Sequence, residues 1–194
     1  HPGVDVVCGV GKGGVYSPTK SNREAFAGEM DRALDASVAA VSSSAAAVEG
    51  ADVVITATNS PEPVFDGDLL EPGAHVTAMG QYHPEKRELD DTAVARSTYV
   101  VDLRGRLEAD AGAFIHAVDA GAVDADHCHA ELGEVVVGAA DGRTDPDEIT
   151  ILDSGGTGIE TTAGAALVYE KAREAGLGRS IDFAPASDAL TGRE

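Results

Sequence analysis

Basic residues are scarce in this chain of 194 residues. Lysine and arginine together number 14, of which only four are lysines, whereas aspartate and glutamate number 34 and give a formal net charge of -20. Because such a charge repels phosphate backbones and anionic lipids, it argues against nucleic acids and membrane surfaces as partners. The acidic residues are spread among Ala, Gly and Val, unlike the charge blocks of a disordered tail. An ordinary solvated surface would explain them, but we favour a halophilic protein, since screening over about 3 Å in 1 M salt removes the self-repulsion.

Tryptophan is absent, cysteine occurs only as Cys8 and Cys128, and no apolar run approaches the ~20 residues of a membrane span. These absences, together with the lack of a signal sequence, predict a cytoplasmic protein with reduced thiols. Hydrophobic residues still make up 43% of the sequence, which is enough for the core of one domain. The opening HPGVDVV, without a methionine, reads like the interior of a longer protein.

Short apolar runs alternate with helix-prone segments along the chain. The alternation predicts an α/β fold, in which a parallel sheet is joined by right-handed crossovers. The predicted strands are 37–41, 52–58, 74–80, 97–103 and 148–154, and the clearest predicted helices are 21–34, 42–51 and 158–175. Ligands bind at the carboxyl ends of such strands, so the polar loops that follow them are the candidate site.

Gly9, Gly11 and Gly14 have the GxGxxG spacing of a dinucleotide-binding turn. Such a turn should open directly into a helix, but Gly14 is followed by Val-Tyr-Ser-Pro, which predicts a strand and a turn. A lone GxGxxG without this context is a weak signal. We therefore interpret the stretch as an inserted hairpin or loop between Val7 and Val15, and not as the phosphate-binding turn.

Three stretches, 51–65, 70–90 and 129–172, together resemble the ornithine cyclodeaminase/mu-crystallin family, and the resemblance runs from about Val15 to about Gly178. It implies an incomplete, NAD(P)-binding Rossmann domain at 1–155 and a helix with a tail at 156–194. The tail would return to a substrate and dimerisation domain whose N-terminal segment lies before His1, and a homodimer is implied. The family includes ornithine cyclodeaminases, alanine dehydrogenases, ketimine reductases and crystallins, so we expect a redox reaction at the Cα of a small amino or imino acid.

The resemblance places Ser17, Thr19 and Lys20 at the adenosine end of the cofactor. An acidic residue at this strand tip would bind the ribose of NAD and repel the phosphate of NADP, and none is present. The sequence therefore favours NADP(H). An ordinary Ser-Pro turn before a helix would also explain these residues.

Further cofactor contacts implied by the resemblance are Ala57, Thr58, Asn59, Met79, Gly80 and Ser154. The last three would surround the nicotinamide, where the missing side chain of Gly80 lets a ring approach the backbone. Ser154 would contact the nicotinamide amide; its alternative role is the N-cap of the long last helix.

Tyr82 and Lys86 are the catalytic candidates. Ornithine cyclodeaminases resemble GxDxPGKxEL here, and Tyr82 stands where they have the Asp. A phenol with an ordinary pKa near ~10 does not act as a carboxylate at neutral pH, although it can donate a proton, so cyclodeamination is disfavoured. Lys86 keeps the motif; its alternative role is a surface ion pair with Glu85 or Glu88. A non-catalytic NADP-binding module and an inactive fragment remain alternatives.

Metal-binding residue types cluster at 124–131, where two Asp, two His, one Cys and one Glu occur. Adjacent residues on one element point apart, so their convergence on one ion would need an unusual loop. We therefore expect no metal site.

Overall fold

The computed structural model describes residues 11–181, in which seven strands are joined by seven α-helices and one short 3-10 helix, Gly67–Leu69. The strands are β1 (Lys12–Val15), β2 (Ser37–Ala40), β3 (Val53–Thr56), β4 (His75–Ala78), β5 (Thr98–Val101), β6 (Cys128–Glu131) and β7 (Thr150–Asp153). The helices are α1 (Lys20–Ala33), α2 (Ser44–Val48), α3 (Asp91–Ala95), α4 (Arg104–Asp110), α5 (Gly112–Asp119), α6 (Leu132–Val136) and α7 (Gly158–Glu174). None of the helices within these residues has the length and apolar character needed to cross a membrane.

Five strands form a fully parallel sheet in the order β3-β4-β7-β5-β6, and β1 pairs in parallel with β2 in a separate two-stranded sheet. The predicted α/β, Rossmann-type fold is thereby confirmed. Register places the last residues of four strands side by side, in the order Thr56, Ala78, Asp153 and Val101. Every loop that leaves these strands therefore starts from one edge of the sheet.

One face of the five-stranded sheet is buried, because strand positions alternate between the two faces. Val54, Val76, Ile151 and Tyr99 are at most 1% exposed on this face. Apolar residues of α3, α4 and α5, including Phe114, pack into the same core. The intervening strand positions are half-buried, or exposed as at Ile55 and His129. The tilted rings of Tyr99 and Phe114 lie 5.5 Å apart between centroids, which ties α5 to the central strands.

The chain divides into two compact units, the first ending at Gly156 and the second beginning at Thr157. In the second unit, Thr157 caps α7: its side chain accepts a hydrogen bond from the Glu160 backbone, and the Glu160 side chain accepts from the Thr157 backbone. A helix beginning near Gly158 was predicted, but Ser154 is not its N-cap. Its hydroxyl is engaged elsewhere, as shown below.

Two details of the helices and strands differ from the sequence prediction. Strand β6 was missed, because its sequence Cys-His-Ala-Glu carries polar residues on its outward side and reads like a helix start. The second half of the glycine-rich stretch lies in β1 and pairs with β2, so it is not part of a hairpin loop; Gly11 has a φ of 82° just before this strand. Val7 and Gly9 lie outside the described residues.

Candidate active site

A cavity of about 630 Å³ opens at the carboxyl ends of β1 and β3. Four of the predicted cofactor residues line it, together with other hydroxyl and amide side chains. The lining residues are Tyr16, Ser17, Pro18, Thr19, Asn22, Ser44, Thr58, Asn59, Ser60, Pro61 and Val64. No acidic side chain is among them, so the cavity carries the polarity and size expected of a site for a nucleotide.

The adenosine-end residues fall into two groups. Ser17 is buried and Thr19 precedes α1, and both line the cavity, whereas Lys20 is exposed with its ammonium 3.6 Å from the Glu24 carboxylate. Arg23, one turn into α1, donates from its guanidinium to the Ser17 carbonyl at 2.8 Å. The cation that the structure fixes beside the cavity is therefore Arg23.

Thr58 and Gly80 are held together by one buried carboxylate. Glu88, 2% exposed, accepts hydrogen bonds from the backbone of Thr58 at 2.6 Å, the backbone of Gly80 at 2.7 Å and the Thr56 hydroxyl at 3.0 Å. Hydrogen bonds to an ionised acceptor are the strong ones. Glu88 therefore fixes the loops after β3 and β4 relative to each other.

Glycine is required at position 80 for a reason that the sequence did not reveal. A Cβ there would lie closer than 3.0 Å to backbone atoms of Thr58 and to the carboxylate of Glu88. The absence of a side chain at Gly80 therefore makes room for the loop that contains Thr58, whether or not a ligand lies on the solvent side. Met79 is 54% exposed beside it and Ala57 and Asn59 are exposed, so the three side chains are available at this edge.

Ser154 is bound to the end of the neighbouring strand. Its hydroxyl donates to the Asp102 carboxylate at 3.0 Å, and the same carboxylate accepts from the Gly156 backbone at 2.6 Å. Its own backbone N–H donates to the Ala78 carbonyl at 2.8 Å. Asp102 therefore orients the turn after β7.

Tyr82 lies between a cation and a glycine. The Arg106 guanidinium sits 4.9 Å from the ring centroid, and a Cβ on Gly155 would come closer than 3.0 Å to ring atoms. Burial, and then the negative charge of Asp153, raise the pKa of the phenol well above its usual value of 10.0. The hydroxyl consequently keeps its proton at neutral pH and is a hydrogen-bond donor, which agrees with the expectation that it does not act as a carboxylate.

Asp153, the last residue of β7, is 2% exposed and accepts a hydrogen bond from the Tyr99 hydroxyl. Burial raises the pKa of its carboxyl to about 7, with the nearby charges of Glu88 and Asp102 adding to the rise and the Tyr99 hydrogen bond opposing it. An acid with a pKa near the working pH is well suited to exchange protons.

Lys86 is exposed in the tight turn that follows Tyr82, and no ion pair within residues 11–181 includes it. The turn packs closely against Gly112 at the start of α5. A Cβ at this glycine would come closer than 3.0 Å to the His83 and Lys86 carbonyl oxygens. The loop shape is thus held by packing, and the Lys86 ammonium is available to solvent.

The residues of the 124–131 cluster point in different directions. Cys128 is buried in β6, where burial raises the pKa of its thiol; His127 donates to the Val94 carbonyl at 2.9 Å and His129 to the Asp141 carbonyl at 2.8 Å. Within the part of the chain that the structure describes, no three His, Cys, Asp or Glu residues are grouped to hold a metal.

The sequence model of the ornithine cyclodeaminase/mu-crystallin family matches residues 4–176. The chain belongs to this family.

Relatives within the family include redox enzymes. An alanine dehydrogenase of Archaeoglobus fulgidus is 38% identical over 154 residues, covering 79% of this chain and 46% of the relative. The mouse ketimine reductase mu-crystallin is 33% identical over 188 residues, covering 87% and 56%. The solved Thermococcus litoralis Δ1-pyrroline-2-carboxylate reductase, in complex with NADH and L-proline, superposes with a TM-score of 0.82 at 37% identity, covering 88% of this chain and 53% of that one. The chain thus spans about half the length of these family members.

Three site residues escaped the sequence reasoning. The sequence suggested Glu88 only as a possible ion-pair partner of Lys86, and it did not single out Arg23. Asp153 was the polar end of an apolar strand, and its partner Tyr99 is 54 positions away. The available signal was the aspartate that ends a strand otherwise built of Thr, Ile and Leu, because aspartate is unusual at a buried position.

Proposed function

We propose that this family member takes part in NAD(P)-dependent oxidation and reduction at the Cα of a small amino or imino acid. The observation that carries the proposal is the cavity at the carboxyl ends of β1 and β3, which Ser17, Thr19, Thr58 and Asn59 line. β4, the neighbour of β3 in the sheet, is followed by Met79 and Gly80, and Glu88 holds Gly80 against Thr58. The relatives named as alanine dehydrogenase and pyrroline carboxylate reductase support the reaction class.

The residues present fit a dinucleotide cofactor. Hydroxyl and amide groups line the cavity for the adenosine half, and Met79, Gly80 and Ser154 stand along the same sheet edge for the nicotinamide half. When bound, the cofactor supplies or accepts the hydride, while the protein binds and orients it. Lys86, exposed in the loop beyond, would contact the carboxylate of the substrate or the cofactor, and Tyr82 would donate a hydrogen bond to the substrate nitrogen.

NADP(H) is the cofactor that we favour. Among residues 11–181, no acidic side chain lines the adenosine end to repel a 2'-phosphate, and Arg23 is fixed beside Ser17 by its hydrogen bond to the Ser17 carbonyl. Lys20 adds a second cation at the start of α1, although it is also paired with Glu24.

The cellular setting is part of the same proposal. We propose a halophilic, cytoplasmic protein, on the strength of the net charge of -20. A homodimer is proposed because an archaeal alanine dehydrogenase of similar fold, with a TM-score of 0.73 and 32% identity, was solved as a dimer with NAD bound.

Calorimetry with NADPH and NADH in molar KCl tests the cofactor half of the proposal. The complete gene product should bind NADPH more tightly, and Ser17→Asp should weaken NADPH binding at least about tenfold relative to NADH, because a carboxylate beside the 2'-phosphate repels it. Ser37→Asp adds the same charge at the opposite end of the β1-β2 pair and should change neither affinity. Binding of neither nucleotide would refute the proposal.

Turnover tests the catalytic half. NADPH oxidation is followed with Δ1-pyrroline-2-carboxylate and with a panel of 2-oxo acids plus ammonia. A non-catalytic NADP-binding module is the second candidate, favoured by the replacement of the family Asp with Tyr82. Tight NADPH binding without turnover of any substrate would establish that candidate and overturn the enzymatic one.

A further inference from the structure

Arg106 contacts three parts of the candidate site and has no part in the proposed function. It lies on α4, which follows β5, and its side chain is half-buried. Its guanidinium carbon is 4.9 Å from the centroid of the Tyr82 ring, in the loop after β4. One of its terminal nitrogens donates to the carbonyl of Gly156, in the turn after β7, at 2.9 Å. A single side chain therefore connects the segments that follow three neighbouring strands of the sheet.

The orientation of the Arg106 guanidinium is fixed by two hydrogen bonds that do not involve Tyr82. Its Nε donates to the Asp110 carboxylate at 2.9 Å, one turn further along α4, and its second partner is the Gly156 carbonyl. Because the guanidinium is planar, partners at two of its nitrogens leave the plane little freedom to turn. The Tyr82 ring therefore lies beside a cation whose position is set by α4 and by the turn after β7.

The Tyr82 ring has a second close contact, which is with the same turn. A Cβ on Gly155 would come closer than 3.0 Å to three atoms of the ring, so the ring packs directly on the backbone next to Gly156. A guanidinium within about 6 Å of an aromatic centroid is attracted to the ring. Burial raises the pKa of the phenol, and the positive charge of Arg106 opposes that rise and so favours donation from the hydroxyl. Arg106 and Gly155 together define where this ring lies.

We propose that Arg106 is a positioning residue that holds the Tyr82 ring against the turn after β7 and thereby directs its hydroxyl towards the substrate nitrogen. This inference rests on the proposed function, in which Tyr82 donates a hydrogen bond to that nitrogen. An aromatic side chain turns about two bonds, and the contacts with Arg106 and Gly155 restrict both. A hydrogen-bond donor that must meet one substrate atom loses rate steeply when it is displaced. The rate should therefore depend on Arg106 only through the Tyr82 hydroxyl.

A double-mutant cycle between Arg106 and Tyr82 in the complete gene product tests this role. The rate is measured with the substrate, among Δ1-pyrroline-2-carboxylate and the panel of 2-oxo acids plus ammonia, that the wild type reduces fastest. Arg106→Gln should lower kcat about 10-fold or more, with the NADPH affinity measured by calorimetry unchanged. Tyr82→Phe should lower kcat at least as much. Adding Arg106→Gln to Tyr82→Phe should then change kcat by no more than about twofold, because the hydroxyl that Arg106 directs is already absent.

Arg104→Gln is the matched control. Arg104 lies two positions before Arg106 on the same helix, and its guanidinium donates to the Cys128 and His129 carbonyls at 2.7 and 2.6 Å. Its replacement removes a cation and two hydrogen bonds, as Arg106→Gln does, but at β6. We expect kcat of Arg104→Gln to stay within about twofold of the wild type.

The outcomes separate this inference from the proposed function. An unchanged kcat in Arg106→Gln, or an equal fall when this replacement is made in the wild type and in Tyr82→Phe, would overturn the inference and leave the proposed function standing. Full activity of Tyr82→Phe would refute the donor role of Tyr82 and this inference with it. A wild-type protein that binds NADPH and reduces no substrate of the panel would refute the enzymatic proposal itself. If Arg106→Gln does not fold, Arg106→Lys, which keeps the charge without the planar group, takes its place in the cycle.

Discussion

Replacement of Glu88 by glutamine should destabilise the protein well beyond the usual effect of removing one charge. The carboxylate accepts three hydrogen bonds, two of them from the backbone N–H groups of Thr58 and Gly80. In Glu88→Gln one acceptor oxygen becomes an NH2 group, which cannot accept, so a donor is orphaned in a site that is 2% exposed. Losing one charge-assisted hydrogen bond and leaving a buried donor unpaired costs about 2–4 kcal/mol.

Urea unfolding in molar KCl measures this loss of unfolding free energy. In thermal unfolding, the Tm of Glu88→Gln should be lower by about 5–15 °C for a protein of this size. Glu85→Gln is the matched control: Glu85 is exposed in the same loop, and its replacement should change the free energy of unfolding by no more than about 0.5 kcal/mol. NADPH affinity should also fall in Glu88→Gln, because the loops after β3 and β4 lose their common anchor. Equal stability of the two variants would refute the argument that Glu88 fixes these loops.

Three other perturbations have expected directions. Gly155→Ala should displace the Tyr82 ring, reduce turnover and lower the free energy of unfolding by about 1–3 kcal/mol. Gly133→Ala, in open space on α6, should raise the free energy of unfolding by about 0.5–1 kcal/mol. Equal effects of the two variants in thermal unfolding would contradict this prediction. Thr19→Asp places a favourable N-cap at the start of α1, so it should raise the Tm slightly. The same variant should weaken NADPH binding relative to NADH binding. If Thr19 lay away from the cofactor, calorimetry would detect no change in this ratio of affinities. Between about pH 4 and 7 the unfolded chain ionises Asp153 while the folded chain keeps it protonated, so this residue makes the free energy of unfolding fall as the pH rises; Asp153→Asn should flatten the dependence measured by urea unfolding at pH 5 and 8.

Four strands of the five-stranded sheet were predictable because each lies in an apolar run that is followed by a polar loop. Val53–Thr56, His75–Ala78, Thr98–Val101 and Thr150–Asp153 all fall inside the predicted segments. Strand β6 was not predictable, since Cys128–Glu131 alternates Cys and Ala with His and Glu over only four residues, which does not distinguish it from a helix start. Periodicity therefore identified the strands within apolar runs better than the short strand with polar residues.

Hydrogen bonds between residues on different strands and loops depend on the register of the sheet, which a single sequence does not specify. Glu88 was suggested as an ion-pair partner of Lys86, but its three donors come from two different loops and become visible only when β3 and β4 pair. Gly80 was singled out because its missing side chain would let a cofactor ring approach the backbone, which stays a prediction. The structure assigns the obstruction to Thr58 and Glu88, whereas the sequence suggested a cofactor ring.

The two buried carboxyls at this edge have opposite electrostatic settings, and the difference follows from where their donors come from. Glu88 accepts hydrogen bonds from two backbone N–H groups and a hydroxyl. Asp153 receives a single phenol and faces the charge of Glu88, so ionising it would place a second negative charge in the same buried space. One carboxyl is thereby suited to hold the backbone in place, and the other to hold a proton. A site whose family Asp is replaced by Tyr82 still has an acid within the same strand edge, and the charge of Glu88 helps to keep that acid protonated.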